Sequence, residues 1–242
     1  LLLYLKDKYP NPRYSYRFVF APETIGTLCY LNANYQQMKQ SVICGFVLSC
    51  VGDDRDYSII SSKYGNTMAD RVLFAALNDC NPTVYSYLER GSDERQYNAP
   101  GIDLPVCGFS RSKYGTYPEY HTSADNFDVV TQSALEKSLT ILTGIIDTFE
   151  VGAYPETTVL GEPQLSRRGL YPGLGQSSYQ AHWGGSDEAI RHRMNLLAYA
   201  DGSVSSFDIA LRIGAPLSVV VEELAVLKNA GLVVDRGPRG KE

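Results

Sequence analysis

Histidine is scarce in this sequence, and positive charge is not in excess. Three histidines, one tryptophan and three methionines occur in 242 residues, and 22 lysines and arginines face 27 aspartates and glutamates. The net charge of −5 gives no electrostatic reason to expect nucleic acid, whose affinity is dominated by neutralised phosphates. No apolar run approaches the ~20 residues that span a bilayer, and no signal-peptide pattern opens the chain. The five cysteines (Cys29, Cys44, Cys50, Cys80, Cys107) are odd in number, scattered and mostly inside apolar runs. That spacing suits neither a disulfide frame nor a zinc knuckle; it suits buried free thiols in a reducing compartment, so the expected location is cytoplasmic.

What is present describes a globular protein. Hydrophobic residues make up 44% and charged residues 20%, enough for one sizeable α/β domain or a medium domain with a small companion. Tyrosine is frequent, at 18; scattered tyrosines line polar pockets or sit at core edges with a satisfied hydroxyl. The opening stretch, LLLYLKDKYPNPRYSYRFVFAPE, begins inside what reads as the end of an amphipathic helix, as expected of the later part of a longer protein.

Short apolar runs at 16–21 and 41–52, bounded by turn residues, predict strands buried on both faces. Helices are predicted at 24–35 and 68–80, a strand at 103–112 and a long helix from about Thr131 to Glu150. Strand and helix alternate, which predicts an α/β fold with a mixed, largely parallel sheet flanked by helices over residues 1–152. Residues 153–186, rich in Gly, Pro, Ser and Tyr and without periodicity, read as a linker or arm. Residues 187–242 then show three helical stretches, with Gly214, Pro216 and Gly231 as punctuation, and an apolar LVVD run. This pattern predicts a small C-terminal winged helix-turn-helix. Its third helix commits Leu217, Val220, Val221, Leu224 and Leu227 to a core and leaves Glu222 and Glu223 against Lys228. DNA is therefore not the expected partner.

Ligands of open α/β sheets collect beyond the carboxyl ends of strands. Glu23 follows the first predicted strand, Asp53 and Asp54 follow the second, and the third leads through KYGTYPEYH to His121. Carboxylate and imidazole suit zinc, and a further carboxylate can act as base toward a metal-activated water. Each residue also has a plain structural role open to it. Glu23 can cap the helix from Thr24, Asp53-Asp54 can be a turn, and His121 can be a loop histidine bonded to a carbonyl.

The stretch RGSDERQYNAPGIDLPVCGFSRSKYGTYPEYHTSADNFD (90–128) resembles the closing segment of co-catalytic zinc aminopeptidases and their glutaminyl-cyclase relatives. Ser92, Asp93 and Glu94 stand in that family's Ser-Asp-His loop. Gly101 and Ile102 stand in its Gly-Ile-Pro strand, and Tyr120, His121, Thr122 and Asp125 in its Tyr-His-Thr-x-x-Asp metal loop. FAPETIGT (20–27) resembles the Glu-Glu-x-Gly segment, with Glu23 at the general base. PETIGT, CVGDDR, SSKYGNT, GSDERQYNAPG and GEPQLSRRGLYP together resemble a bacterial aminopeptidase-like subfamily linked to polysaccharide biosynthesis, with a C-terminal winged helix.

The resemblance implies a zinc-dependent hydrolase, with one or two ions, cleaving an amide bond of a peptide or small molecule. Glu23 would be the base, His121 with Asp53 or Asp54 the metal ligands, and Arg95, Tyr97 and Tyr120 substrate contacts. There are departures. Thr24 replaces a ligating glutamate, Ser49 stands where a ligating aspartate is expected, and the upstream His and bridging Asp have no counterpart. The alternative is therefore an inactive peptidase-like scaffold acting in binding or regulation. No membrane partner is expected on either reading, and a homo-oligomer is compatible with both.

Overall fold

The computed structural model describes residues 1–170 and 188–237. The chain divides into two units, Leu1–Tyr4 with Ser15–Thr143, and Leu5–Tyr14 with the chain from Gly144 onward. Helix α1 (Leu2–Lys8) opens the chain. In the first unit, helix α2 (Ile25–Ser41) buries Thr27, Leu31 and Met38, a stripe at helical spacing. That stripe packs on Leu104 and Val106, with Val47, Tyr97 and Ile102 around them.

Strands β1 (Gly45–Leu48), β2 (Ser58–Ile60), β3 (Thr83–Tyr85) and β4 (Val106–Ser110) form one sheet in the order β1-β4-β2-β3. β1 runs parallel to β4 and β2 parallel to β3, while β2 meets β4 antiparallel. The mixed, mainly parallel sheet is as expected. Its directions have a consequence for chemistry: the carboxyl ends of β1 and β4 emerge together, and those of β2 and β3 emerge at the opposite end.

Helix α3 (Met68–Ala76) starts in a capping box of Thr67 and Asp70. The buried Asp70 carboxylate also accepts bonds from the Ser62 amide and hydroxyl and from Cys107 Sγ. Burial raises its pKa, but these donors outweigh it and hold the carboxyl below its ordinary value. A single turn, α4 (Glu94–Tyr97), precedes β4, and helix α5 (Gln132–Gly152) follows it. No described helix is long and apolar enough to cross a membrane.

The fold departs from the expected elements in several places. No strand forms over 16–21: Val19 and Phe20 are exposed, and Arg17 bonds the Tyr30 hydroxyl and Gln37 instead. Glu23 therefore leaves a loop, not a strand. Helix α2 runs on through Ser41 and shortens the strand expected at 41–52 to the four residues of β1. Strands β2 and β3, three residues each, were not expected. Of the five cysteines, Cys107 is buried and Cys29 is exposed on α2.

The second unit gathers the end of α1, the end of α5 and the winged helix. Helices α6 (Glu188–Tyr199), α7 (Ser206–Ile213) and α8 (Leu217–Asn229) follow the predicted punctuation. Ser205 caps α7, Gly214 closes it with φ 65°, and Pro216 precedes α8. Strand β6 (Val233–Asp235) pairs antiparallel with β5 (Pro155–Thr157), and Glu156 bridges Asp201. The stretch read as a linker or arm thus begins by supplying a strand, and residues 171–186 of it lie outside the described residues.

Phe149 packs on Phe207 and Tyr14, and Arg13 pairs with Asp235 at 2.9 Å. Burial, then Asp235, pushes the Tyr14 hydroxyl up to about 12. The sequence predicts Glu223 on the exposed face with Glu222, and the structure corrects this. Glu223 is buried, and both its oxygens accept from Arg193, at 2.6 and 3.2 Å.

Candidate functional site at the carboxyl ends of β1 and β4

Beyond Leu48, β1 exits through Ser49, Cys50, Val51 and Gly52. The ladder to β4 continues past the strands, with Ser49 N bonding Phe109 O and Arg111 N bonding Cys50 O. Cys50 adopts φ 51°, unusual for a residue with a Cβ. Gly52 is required by close approach, since a Cβ there would lie 2.7 Å from Val130 Cγ1.

The two candidate aspartates have other tasks. Asp53 is 4% exposed and accepts bonds from Ser112 N (2.8 Å), Ser112 Oγ (2.7 Å) and Arg55 N (3.0 Å), tying the exit of β1 to that of β4. Asp54 pairs with Lys137 at 2.6 Å and Arg111 at 3.6 Å and accepts from Thr131 Oγ1. The Lys137 hydrogen bond holds the Asp54 carboxyl below its usual range. Each carboxylate, expected from the sequence as a metal ligand, is engaged here by donors and cations of the scaffold.

The stretch after β4 builds an aromatic wall. His121, exposed and at φ 59°, stacks on Tyr120 with centroids 4.0 Å apart and planes 16° apart. Tyr117 meets Tyr120 edge-on at 5.7 Å. The Tyr117 hydroxyl lies 3.2 Å from Asp125 Oδ2 and 3.5 Å from Cys50 Sγ; burial and then Cys50 raise its pKa. Arg55 over the Tyr117 ring, forked onto Glu119 at 2.8 Å, fixes the wall from behind.

Glu23 reaches this wall from another loop. The Tyr120 hydroxyl is raised above its usual pKa first by burial, then by the nearby charges of Cys50 and Glu23. Glu23 O accepts from Ile25 N at 2.7 Å across Thr24, whose φ 63° and ψ −71° define a γ-turn of the rare, strained hand. A β-branched residue enters that region only under constraint, and the constraint is visible. Asp93 Oδ1 accepts from Thr24 N at 2.8 Å, and Arg95 Nη2 donates to Thr24 Oγ1 at 2.8 Å. Asp93, not Glu23, thus receives the amide at the start of α2.

Arg95, expected at the substrate, bonds the turn. Tyr97, expected beside it, packs into the α2 core, with its pKa raised by burial. Of the expected site residues, Glu23, Tyr120 and His121 share a neighbourhood, while Asp53, Asp54, Arg95 and Tyr97 work in the scaffold.

Cys50 and Tyr117 were not assigned from sequence, while Asp125 was marked by the resemblance to the metal loop. The positions after a parallel strand signal Cys50; nothing marks Tyr117 as a partner. Glu94, placed by the resemblance in the Ser-Asp-His loop, is buried. Its Oε1 accepts from Gly91 N, Ser92 N and the Tyr114 hydroxyl, and its Oε2 lacks a partner among the described residues. Among the described residues no three His, Cys, Asp or Glu side chains converge as a metal ion requires, so this donor set does not fit zinc.

The chain has relatives that bear on its family and fold. Residues 3–152 match the family described as "Domain of unknown function (DUF4910)", and residues 153–235 match a winged helix-turn-helix family. The chain belongs to the DUF4910 family and carries a winged helix-turn-helix after it. It is 37% identical over 207 residues to a Clostridium acetobutylicum protein named for polysaccharide biosynthesis and an aminopeptidase-like domain; the match covers 84% of this chain and 45% of that protein. It is also similar to a crystal structure of a protein from the same organism named as a peptidase. That match has 30% identity and a TM-score of 0.76, and covers 96% of this chain and 51% of the other. The chain thus spans about half the length of the relatives it matches.

Proposed function

We propose that this chain is an aminopeptidase-like module that recognises an amine-bearing ligand, a peptide amino terminus or an amino sugar, for a protein of polysaccharide biosynthesis. The observation that carries this reading is the aromatic wall, Tyr120 stacked on the exposed His121 at 4.0 Å and edge-on to Tyr117, with the exposed Glu23 in its neighbourhood. A carboxylate next to aromatic faces attracts an ammonium by charge and by the ring quadrupole. Glu23 and His121 are both exposed, as a recognition surface requires. A metal-dependent hydrolase is the second reading, and the peptidase and aminopeptidase-like names of the longer relatives favour a hydrolase. The described donors do not fit the ion, so this chain's residues supply no catalytic step through it. A protein-contact role for the winged helix, not DNA binding, accords with Lys228, whose Nζ donates to the Val151 carbonyl and so turns away from any phosphate.

The test is a titration with glucosamine and alanyl-alanine, followed through the imidazole Cε1 proton of His121. We expect a saturable shift, weakened about twofold to fivefold in Glu23→Gln, and none with the N-acetylated compounds. Equal shifts with N-acetylglucosamine would contradict the reading.

A further inference from the structure

Thr24, the residue after Glu23, is held by one short segment that brings a cation with it. Asp93 Oδ1 accepts from Thr24 N at 2.8 Å, and Arg95 Nη2 donates to Thr24 Oγ1 at 2.8 Å. Asp93 precedes α4 and Arg95 lies on it, so a single helical turn supplies both contacts. The bond to Thr24 occupies one of the five N–H donors of the guanidinium. Arg95 is exposed, and no carboxylate among the described residues pairs with it. Other cations of the same unit are matched: Arg55 has Glu119, Lys63 has Asp103 and Lys137 has Asp54.

The exposed Glu23 carboxylate has no cation paired with it among the described residues either, so the two charges beside Thr24 do not neutralise each other. Standard bond lengths traced through Thr24 put them within about 12 Å of one another. An extended dipeptide holds its amine and carboxylate about 7 Å apart, and a tripeptide about 10 Å. An amino sugar phosphate carries the same two charges on one ring. Guanidinium matches carboxylate and phosphate through paired N–H bonds, and an arginine already fixed by one edge loses less freedom when it binds.

We propose that the ligand of this site is zwitterionic, with an amine held by Glu23 and a carboxylate or phosphate of the same molecule held by Arg95. The inference rests on the reading of Glu23 as an amine site and adds a requirement to it, since glucosamine or a peptide amide would satisfy Glu23 alone. Asp93 stands at the same turn, and its charge works against an anion there. The gain from Arg95 is therefore that of an exposed pair.

The experiment titrates the chain with alanyl-alanine against alanyl-alanine amide, and with glucosamine 6-phosphate against glucosamine, followed through the imidazole Cε1 proton of His121. We expect at least one anionic compound to bind about twofold to fivefold more tightly than its neutral partner. A preference within the peptide pair assigns a carboxylate, and one within the sugar pair a phosphate. That ratio should shrink with added salt and fall to one in Arg95→Ala. A role confined to holding the turn would weaken both members of a pair alike in Arg95→Ala and leave the ratio intact, which would overturn the proposal. Arg90→Ala removes a neighbouring cation that sits over the Tyr87 ring and should not change the ratio; an equal loss there would replace the contact by long-range attraction. Ratios of one in both pairs, with saturable binding of the neutral amines, would overturn the zwitterion and leave the amine site standing. No saturable shift with any of the four would overturn both.

Discussion

Among single residues, the carboxylates divide by what surrounds them. Asp70 and Asp53 are buried and saturated with donors, whereas the Glu23 side chain is exposed. Sequence alone ranked these the other way for Asp53, because a carboxylate after a strand looks the same whether it faces a ligand or Ser112. The folded-state pKa of Asp70 is depressed, so its contribution to stability is present above the unfolded value of about 3.9 and is lost as pH falls through the lower folded value. Asp70→Asn keeps the shape but turns an acceptor into a donor facing the Ser62 and Thr67 groups. It should cost about 1–3 kcal/mol near neutral pH, with the difference from wild type narrowing as the solution is acidified. Urea unfolding across pH measures this, and a pH-independent difference would reassign the effect to packing.

Among the elements, the helices were legible and the short strands were not. α3, α5 and the winged-helix trio carry apolar residues at helical spacing with caps and glycine stops, signals that survive in sequence. β2 and β3 are three residues long, too short for any alternation to register, and they exist because β4 and each other supply the ladder. The apolar run at 16–21 misled for the opposite reason. Period and composition suit a strand, but no neighbour among the described residues pairs with it. The turn before α2 was half legible. Gly26 could be singled out, but the strain at Thr24 and its hold by Asp93 and Arg95 come from residues about seventy positions away. Gly26 is needed there because a Cβ would lie 2.8 Å from both Ala21 Cβ and Pro22 Cδ. Gly26→Ala should therefore destabilise by about 1–3 kcal/mol and loosen the loop carrying Glu23. A calorimetric midpoint equal to that of wild type would show that the turn relaxes without cost.

As a whole, the molecule carries a peptidase-like sheet, an aromatic wall with the carboxylates of Glu23 and Asp125 beside it, and a winged helix. The relatives it matches are about twice as long. Its aminopeptidase-like kinship and its α/β class could be read from motif order and spacing. That its own aspartates are consumed by the scaffold could not, since the lock between Asp53 and Ser112 depends on which strand neighbours which. On the reading proposed above, Glu23, Tyr120 and His121 form a recognition surface and not a self-contained zinc centre. Equilibrium dialysis of the metal-stripped chain against zinc at neutral pH separates the two. We expect no stoichiometric uptake that depends on these residues. One zinc per chain, abolished by both His121→Ala and Glu23→Gln, would contradict the recognition surface and restore the metal centre.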